Sequence, residues 1–229
     1  MAVYDYQGNV IATGGSGGSP IAGKRVHFIG DSNLQYISDE LKSYLEETYG
    51  CTVTNSAKAG ATWETANGAN TTDTSSGVGQ VNRVVAKIDS SNLLTDHDCI
   101  VVMLGTNCTT EGELTDTAAD VSTMCGAMKY CMEKLCYYGR QIPIGVIIPI
   151  RTDANYSAPV ELPSKFRKIE EIAKLYSIPT LNLYTAGRII PNGMTPDGSN
   201  YYLTDSVHLG ANGKLLFKQM VGQWIAYQL

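Results

Sequence analysis

Two short stretches decide the fold: DCIVVMLG, residues 98–105, and IPIGVIIPI, residues 142–150. A strand with one face in water alternates apolar and polar side chains, whereas CIVVML and IGVIIPI are apolar throughout, as expected for strands covered on both faces. Outward from them the pattern repeats. KRVHFIG (24–30) reads as a strand, NLQYISDELKSYLEETYG (33–50) as a helix ended by Gly50, and CTVTNSA (51–57) as a strand. Helices follow over 77–94 (GVGQVNRVVAKIDSSNLL), 117–139 (TAADVSTMCGAMKYCMEKLCYYG), 161–177 (ELPSKFRKIEEIAKLYS) and 211–228, with a last strand in IPTLNLY (178–184). Five strands alternating with helices predict an α/β protein, a three-layer α/β/α sandwich around a five-stranded parallel sheet. Right-handed crossovers put every strand's C-terminal end on one edge, where ligands of such sheets bind.

The chain of 229 residues suits one sizeable domain, expected over 21–229. Residues 1–20, MAVYDYQGNVIATGGSGGSP, combine a strand-like piece with a Gly/Ser tract closed by Pro20. That tract reads as a linker suited to attachment to a larger assembly, or as a remnant of recombinant expression. A formal charge of −5 with scattered basic residues offers no footprint for nucleic acid or an anionic membrane. No apolar run approaches the roughly 20 residues a membrane span needs, and the N-terminus lacks a signal-peptide layout, so a soluble chain is expected. The six cysteines (51, 99, 108, 125, 131, 136) show neither C-x-x-C spacing nor a nearby histidine at ligand spacing. They read as buried thiols rather than a metal site.

The strand-end loops therefore carry the chemistry: GDSN (30–33), NSAKAGAT (55–62), GTNC (105–108), PIRTDANYSAP (149–159) and 185–208. Ser32 needs a base to become a nucleophile. His27 lies inside a strand and reads as structural; His97 precedes a strand, at the opposite sheet edge, and reads as a loop histidine. His208 lies on the correct edge, three residues after Asp205, a spacing that puts both side chains on one side of a turn. Asp205 then holds the Nδ1 hydrogen of His208 and Nε2 faces Ser32. Gly60 and Asn107 offer a backbone N–H and a side-chain amide to a developing oxyanion, beside the N–H of Ser32. Singly, each is an ordinary turn residue; their joint appearance at strand ends carries the weight.

This conjunction resembles the SGNH hydrolases, the GDSL-type esterases and lipases, from about Gly23 to the C-terminus. Gly30-Asp31-Ser32 matches the first block, Gly60 the second, Gly105-Thr106-Asn107 the third, and Asp205 with His208 the last. Asn33 stands where the family commonly has leucine, with Leu34 displaced by one, and Cys108 where it has aspartate. The resemblance implies a flavodoxin-like sandwich and a Ser32–His208–Asp205 triad. It also implies an oxyanion hole of Ser32, Gly60 and Asn107, and catalysis without metal or organic cofactor. With no long apolar lid and with Tyr156, Tyr184, Tyr201, Tyr202 and Trp63 in or near the loops, a short-acyl esterase is expected, acting on O-acetyl groups of a carbohydrate. Trp63, Tyr156, Tyr201 and Tyr202 are its candidate substrate-binding residues. The alternatives are a lipase, lysophospholipase or thioesterase of the same family, or a carbohydrate-binding or virion-attached module with little turnover. A phosphate-binding flavodoxin-like protein is disfavoured by the lack of a P-loop lysine.

Overall fold

The apolar runs form the centre of a parallel sheet. The computed structural model describes residues 3–4, 10–12, 18–64, 96–137, 142–152, 161–189, 201–205 and 207–229. Strands β1 (Val3–Tyr4) and β2 (Val10–Ala12) pair as a separate antiparallel ribbon. The main sheet contains β3 (Arg25–Gly30), β4 (Thr52–Asn55), β5 (Cys99–Met103), β6 (Ile144–Ile148) and β7 (Thr180–Asn182). Its order is β4-β3-β5-β6-β7, and every pairing is parallel.

Alternate residues of each central strand feed different cores. Ile100 and Val102 of β5, with Val146 and Ile148 of β6, join Met128, Met132, Phe166 and Ile169 on one side. Val101, Met103 and Ile147 join Leu41, Leu45, Phe217 and Trp224 on the other. The first side is covered by α3 (Met124–Tyr137) and α4 (Ser164–Leu175), the second by α2 (Ser38–Tyr49) and α6 (Ala211–Tyr227). Double burial explains why β5 and β6 read as unbroken apolar runs, and the three-layer sandwich is the predicted one. Trp224 packs so close to the sheet that a Cβ at Gly145 would come within 2.3 Å of its ring.

Among the element boundaries that differ from expectation, three have a clear local cause or consequence. The helix expected from Asn33 is two: α1 (Ser32–Gln35) and α2, the latter closed by Gly50 at φ +71° as predicted. The helix expected from Thr117 starts at Met124, because side chains compete for the backbone before it. Asp116 accepts from the Glu113 N–H and the Thr123 hydroxyl, and the Lys129 ammonium donates to the carbonyls of Leu114 and Asp116. The last strand stops at Asn182, whose Oδ1 accepts from the Thr185 N–H at 3.1 Å and opens the one-turn helix α5 (Leu183–Ala186). The helix expected over 77–94 lies outside the described residues.

After β3 the chain moves to β4 on one flank, then returns past β3 to β5 on the other. The carboxyl ends of β3 and β5 therefore flank the point where strand order reverses, the place where open α/β sheets bind ligands. Ser32 follows β3 and Asn107 follows β5.

Candidate active site

β3 ends at Gly30, and the chain turns straight into α1. Asp31 caps that helix: its Oδ1 accepts from the Asn33 N–H at 3.0 Å. Ser32, at the first helical position where N–H groups have no intrahelical acceptor, is nearly buried at 6% exposure. Its hydroxyl lies 3.0 Å from Nε2 of His208. Nδ1 of His208 lies 2.8 Å from Oδ2 of Asp205. Oδ1 of the same carboxylate accepts from the backbone N–H groups of Val207 and His208, both at 2.7 Å.

These contacts set the protonation pattern. Hydrogen bonds from the His208 ring and from two backbone N–H groups hold the Asp205 carboxyl down at about 2, so it is an acceptor at any ordinary pH. A carboxylate has no proton to give, so Nδ1 of neutral His208 carries the hydrogen and Nε2 is left to accept from the Ser32 hydroxyl. Beneath the serine, burial pushes the Asp31 carboxyl up to about 6, opposed chiefly by the Asn33 N–H it accepts.

Two loops close around this line. Gly60, exposed and at φ +76°, sits in a left-handed turn that a residue with a Cβ would strain. The neighbouring Ala59 N–H donates to the Gln35 side chain of α1. Asn107 belongs to a turn in which the Cys108 N–H donates to the Gly105 carbonyl at 3.2 Å. Its side-chain amide donates to the Ala61 carbonyl at 3.2 Å, which leaves its second amide hydrogen available. Two further bonds stitch the loops together, from the Trp63 N–H to Sγ of Cys108 at 3.4 Å and from the Thr109 N–H to the buried Glu64 at 2.9 Å. Ser32, His208 and Asp205 are thus brought into direct contact, and Gly60 and Asn107 lie on two linked loops.

The aromatic expectations fare unevenly. Trp63 is 0% exposed and belongs to the core, so it has no face for a ligand. Tyr184 is also buried, packed on Phe166 with ring centroids 5.4 Å apart. Both corrections have one cause: the loop or turn carrying each ring folds against the α3/α4 side of the sheet. Tyr201 is 50% exposed and contacts half-buried Tyr202 edge-on at 4.8 Å. Tyr156 lies outside the described residues. Tyr36, absent from the sequence candidates, is 51% exposed and its ring meets His208 edge-on at 5.0 Å. Its signal was present, since Tyr36 follows Ser32 by four residues and four-residue spacing shares a helical face.

His27 is held inside the sheet between the hydroxyls of Thr54 at 2.6 Å and Ser56 at 3.0 Å, a structural placement. The six cysteines are unbridged. Burial, and then the Glu64 carboxylate, raise the Cys108 thiol well above its ordinary value and keep it neutral. Among the described residues, no three His, Cys, Asp or Glu side chains gather as ligands for a metal ion. No described helix is long and apolar enough to cross a membrane.

No protein-family model matches the chain, and comparison with curated proteins finds no significant match. Solved structures do resemble it. A Lactobacillus plantarum protein superposes with a TM-score of 0.67 at 18% identity, covering 91% of this chain and 99% of its own. The acetyl xylan esterase Axe2 from Geobacillus stearothermophilus gives 0.56 at 14% identity over 91% of this chain and 97% of its own. A Bacteroides ovatus protein assigned as a GDSL-like lipase gives 0.56 at 14% identity over 89% and 98%. Likeness at such identities carries the fold alone: the chain shares the α/β architecture of these three proteins over most of its length.

Proposed function

We propose that the chain is a serine ester hydrolase of the SGNH type, acting on short-chain acyl esters, with O-acetyl groups of a carbohydrate as the substrate class. The observation that carries this reading is the unbroken line from Asp205 through His208 to Ser32, with contacts of 2.8 and 3.0 Å at the strand-order reversal. In that line Ser32 Oγ attacks the ester carbonyl carbon while its proton passes to Nε2 of His208. The carbonyl oxygen becomes an oxyanion, met by the N–H groups of Ser32 and Gly60 and the Asn107 amide. One such donor is worth about 3–4 kcal/mol of barrier. The bond to the alcohol oxygen then breaks and the alcohol leaves with the proton from His208. A water, deprotonated by His208, attacks the acyl-serine and returns the carboxylic acid and free Ser32. Asp205 steadies the imidazolium that appears in both halves.

The carbohydrate assignment draws support from two half-exposed rings, Tyr36 beside His208 and Tyr201 in the loop that precedes it, since an apolar ring face suits the C–H face of a sugar. The shared fold with a protein named acetyl xylan esterase points the same way. The test pairs Ser32→Ala with an acyl-length series. Purified protein should hydrolyse p-nitrophenyl acetate faster than the butyrate and octanoate esters and release acetate from acetylated xylan. Ser32→Ala should fold and lose both activities. A folded Ser32→Ala variant with parental rates rejects the nucleophile; a rate rising with chain length rejects the deacetylase in favour of a lipase.

A further inference from the structure

We propose that Lys165 is a positioning residue of the oxyanion site, acting through Asn107 by locking the turn that carries it; this inference rests on the esterase reading above. Lys165 lies in the first turn of α4, 58 positions beyond Asn107 in sequence. Its Nζ donates to the Thr106 carbonyl at 2.9 Å and the Cys108 carbonyl at 3.4 Å, the two carbonyls on either side of Asn107.

The consequence follows from peptide geometry. Residues 105–108 form a β-turn closed by the Cys108 N–H to Gly105 carbonyl bond, with the Thr106–Asn107 peptide at its centre. The two common turn types differ by a flip of that central peptide. Donation from Lys165 to the Thr106 carbonyl selects one of them. In a trans peptide the carbonyl and the following N–H point in opposite directions, so a Thr106 carbonyl aimed at Lys165 sends the Asn107 N–H away from it. The Cys108–Thr109 peptide obeys the same rule: its carbonyl faces Lys165 and its N–H meets Glu64 at 2.9 Å on the other side.

The helix comes close enough to do this because position 105 is glycine, at φ +133°. A Cβ there would approach Ile169 to 2.7 Å and Phe166 to 3.1 Å, both residues of α4. The ammonium also lies 5.4 Å from the Phe166 ring centroid, held on the apolar surface that abuts the turn. Asn107 is therefore gripped twice: its side chain by the Ala61 carbonyl and its flanking backbone by Lys165. A turn free to flip would carry the asparagine amide off the position where negative charge develops, which costs rate rather than ground-state affinity.

The test is a double-mutant cycle on p-nitrophenyl acetate hydrolysis. Lys165→Met removes the donor and keeps the stem. It should lower kcat roughly 10- to 100-fold with KM changed less than about threefold, as a misplaced transition-state donor does. In an Asn107→Ala background, where there is no amide left to position, the same substitution should cost less than about threefold. Parental kcat in Lys165→Met, or losses that multiply in the double variant, overturn the proposal. Should Lys165→Met lack a cooperative thermal transition, Lys165→Gln is read through the same cycle. Ser32→Ala separates the two claims: if it is inactive while Lys165→Met is fully active, the esterase reading stands and this inference alone falls.

Discussion

The molecule holds two histidines against serine hydroxyls at the same distance. Nε2 of His208 is 3.0 Å from Oγ of Ser32, and Nε2 of His27 is 3.0 Å from Oγ of Ser56. Distance between base and hydroxyl thus does not separate the pair proposed for catalysis from the pair inside the sheet; the surroundings do. His27 stands mid-strand, 4% exposed, with Thr54 on its other nitrogen. His208 has Asp205 on its other nitrogen, stands where strand order reverses, and keeps part of its ring open beside Tyr36. A hydroxyl on Nδ1 can donate or accept and leaves the tautomer open, whereas a carboxylate only accepts and turns Nε2 into a base. The carboxylate and the sheet edge make the difference.

The largest effect should come from removing that difference. Asp205→Asn keeps the shape but offers His208 an amide that can donate, so the wrong tautomer forms. We expect kcat/KM for p-nitrophenyl acetate to fall roughly 10³- to 10⁴-fold with little change in thermal midpoint. A loss under tenfold would put the two histidines on an equal footing.

A second contrast lies beneath the serines, since Ser32 has the buried carboxyl of Asp31 at its back. Its folded value of about 6 exceeds the ordinary 3.8, so between these pH values the folded state binds a proton the unfolded chain lacks. Stability from this group is fully present at low pH and falls as pH rises through about 6. Asp31→Asn keeps the cap acceptor and removes the charge. The variant should gain stability relative to the parent between pH 4.5 and 7.5, by roughly 2 kcal/mol, since each tenfold difference in proton affinity between the folded and unfolded chain is worth about 1.4 kcal/mol. Urea unfolding at the two pH values measures it, and parallel parent and variant curves would contradict it.

The smallest effect belongs to the other cluster. Ser56→Ala removes one hydroxyl from His27 and should cost about 1 kcal/mol of stability, with kcat/KM within about twofold of the parent. Activity lost along with that stability would mean the inner histidine is not merely structural.

The same contrast explains what could be read from the chain. β5 and β6 were legible because double burial leaves no polar residue in them. The placement of Ser32, Asn107, Asp205 and His208 was legible because each stands at or just beyond an element end, where an edge of the sheet is implied by topology alone. Trp63 was misread because its place depends on bonds over long sequence separations: Asn107 to Ala61, and Trp63 itself to Cys108. The contribution of Lys165 was invisible for the same reason, lying on a helix that presents an ordinary charged face. Local competition hid two boundaries, at Met124 and Asn182, where short polar side chains take up backbone hydrogen bonds. Asn33 is now placed: it is buried, and neither atom of its amide has a partner among the described residues.

Which serine reacts is the claim on which the rest depends. Incubation with a fluorophosphonate, followed by digestion and mass spectrometry, should place one phosphonyl group on Ser32, none on Ser56, and none on either in the His208→Ala variant. Full activity with Ser32 unmodified, or labelling of Ser32 that persists unchanged without His208, would contradict the account.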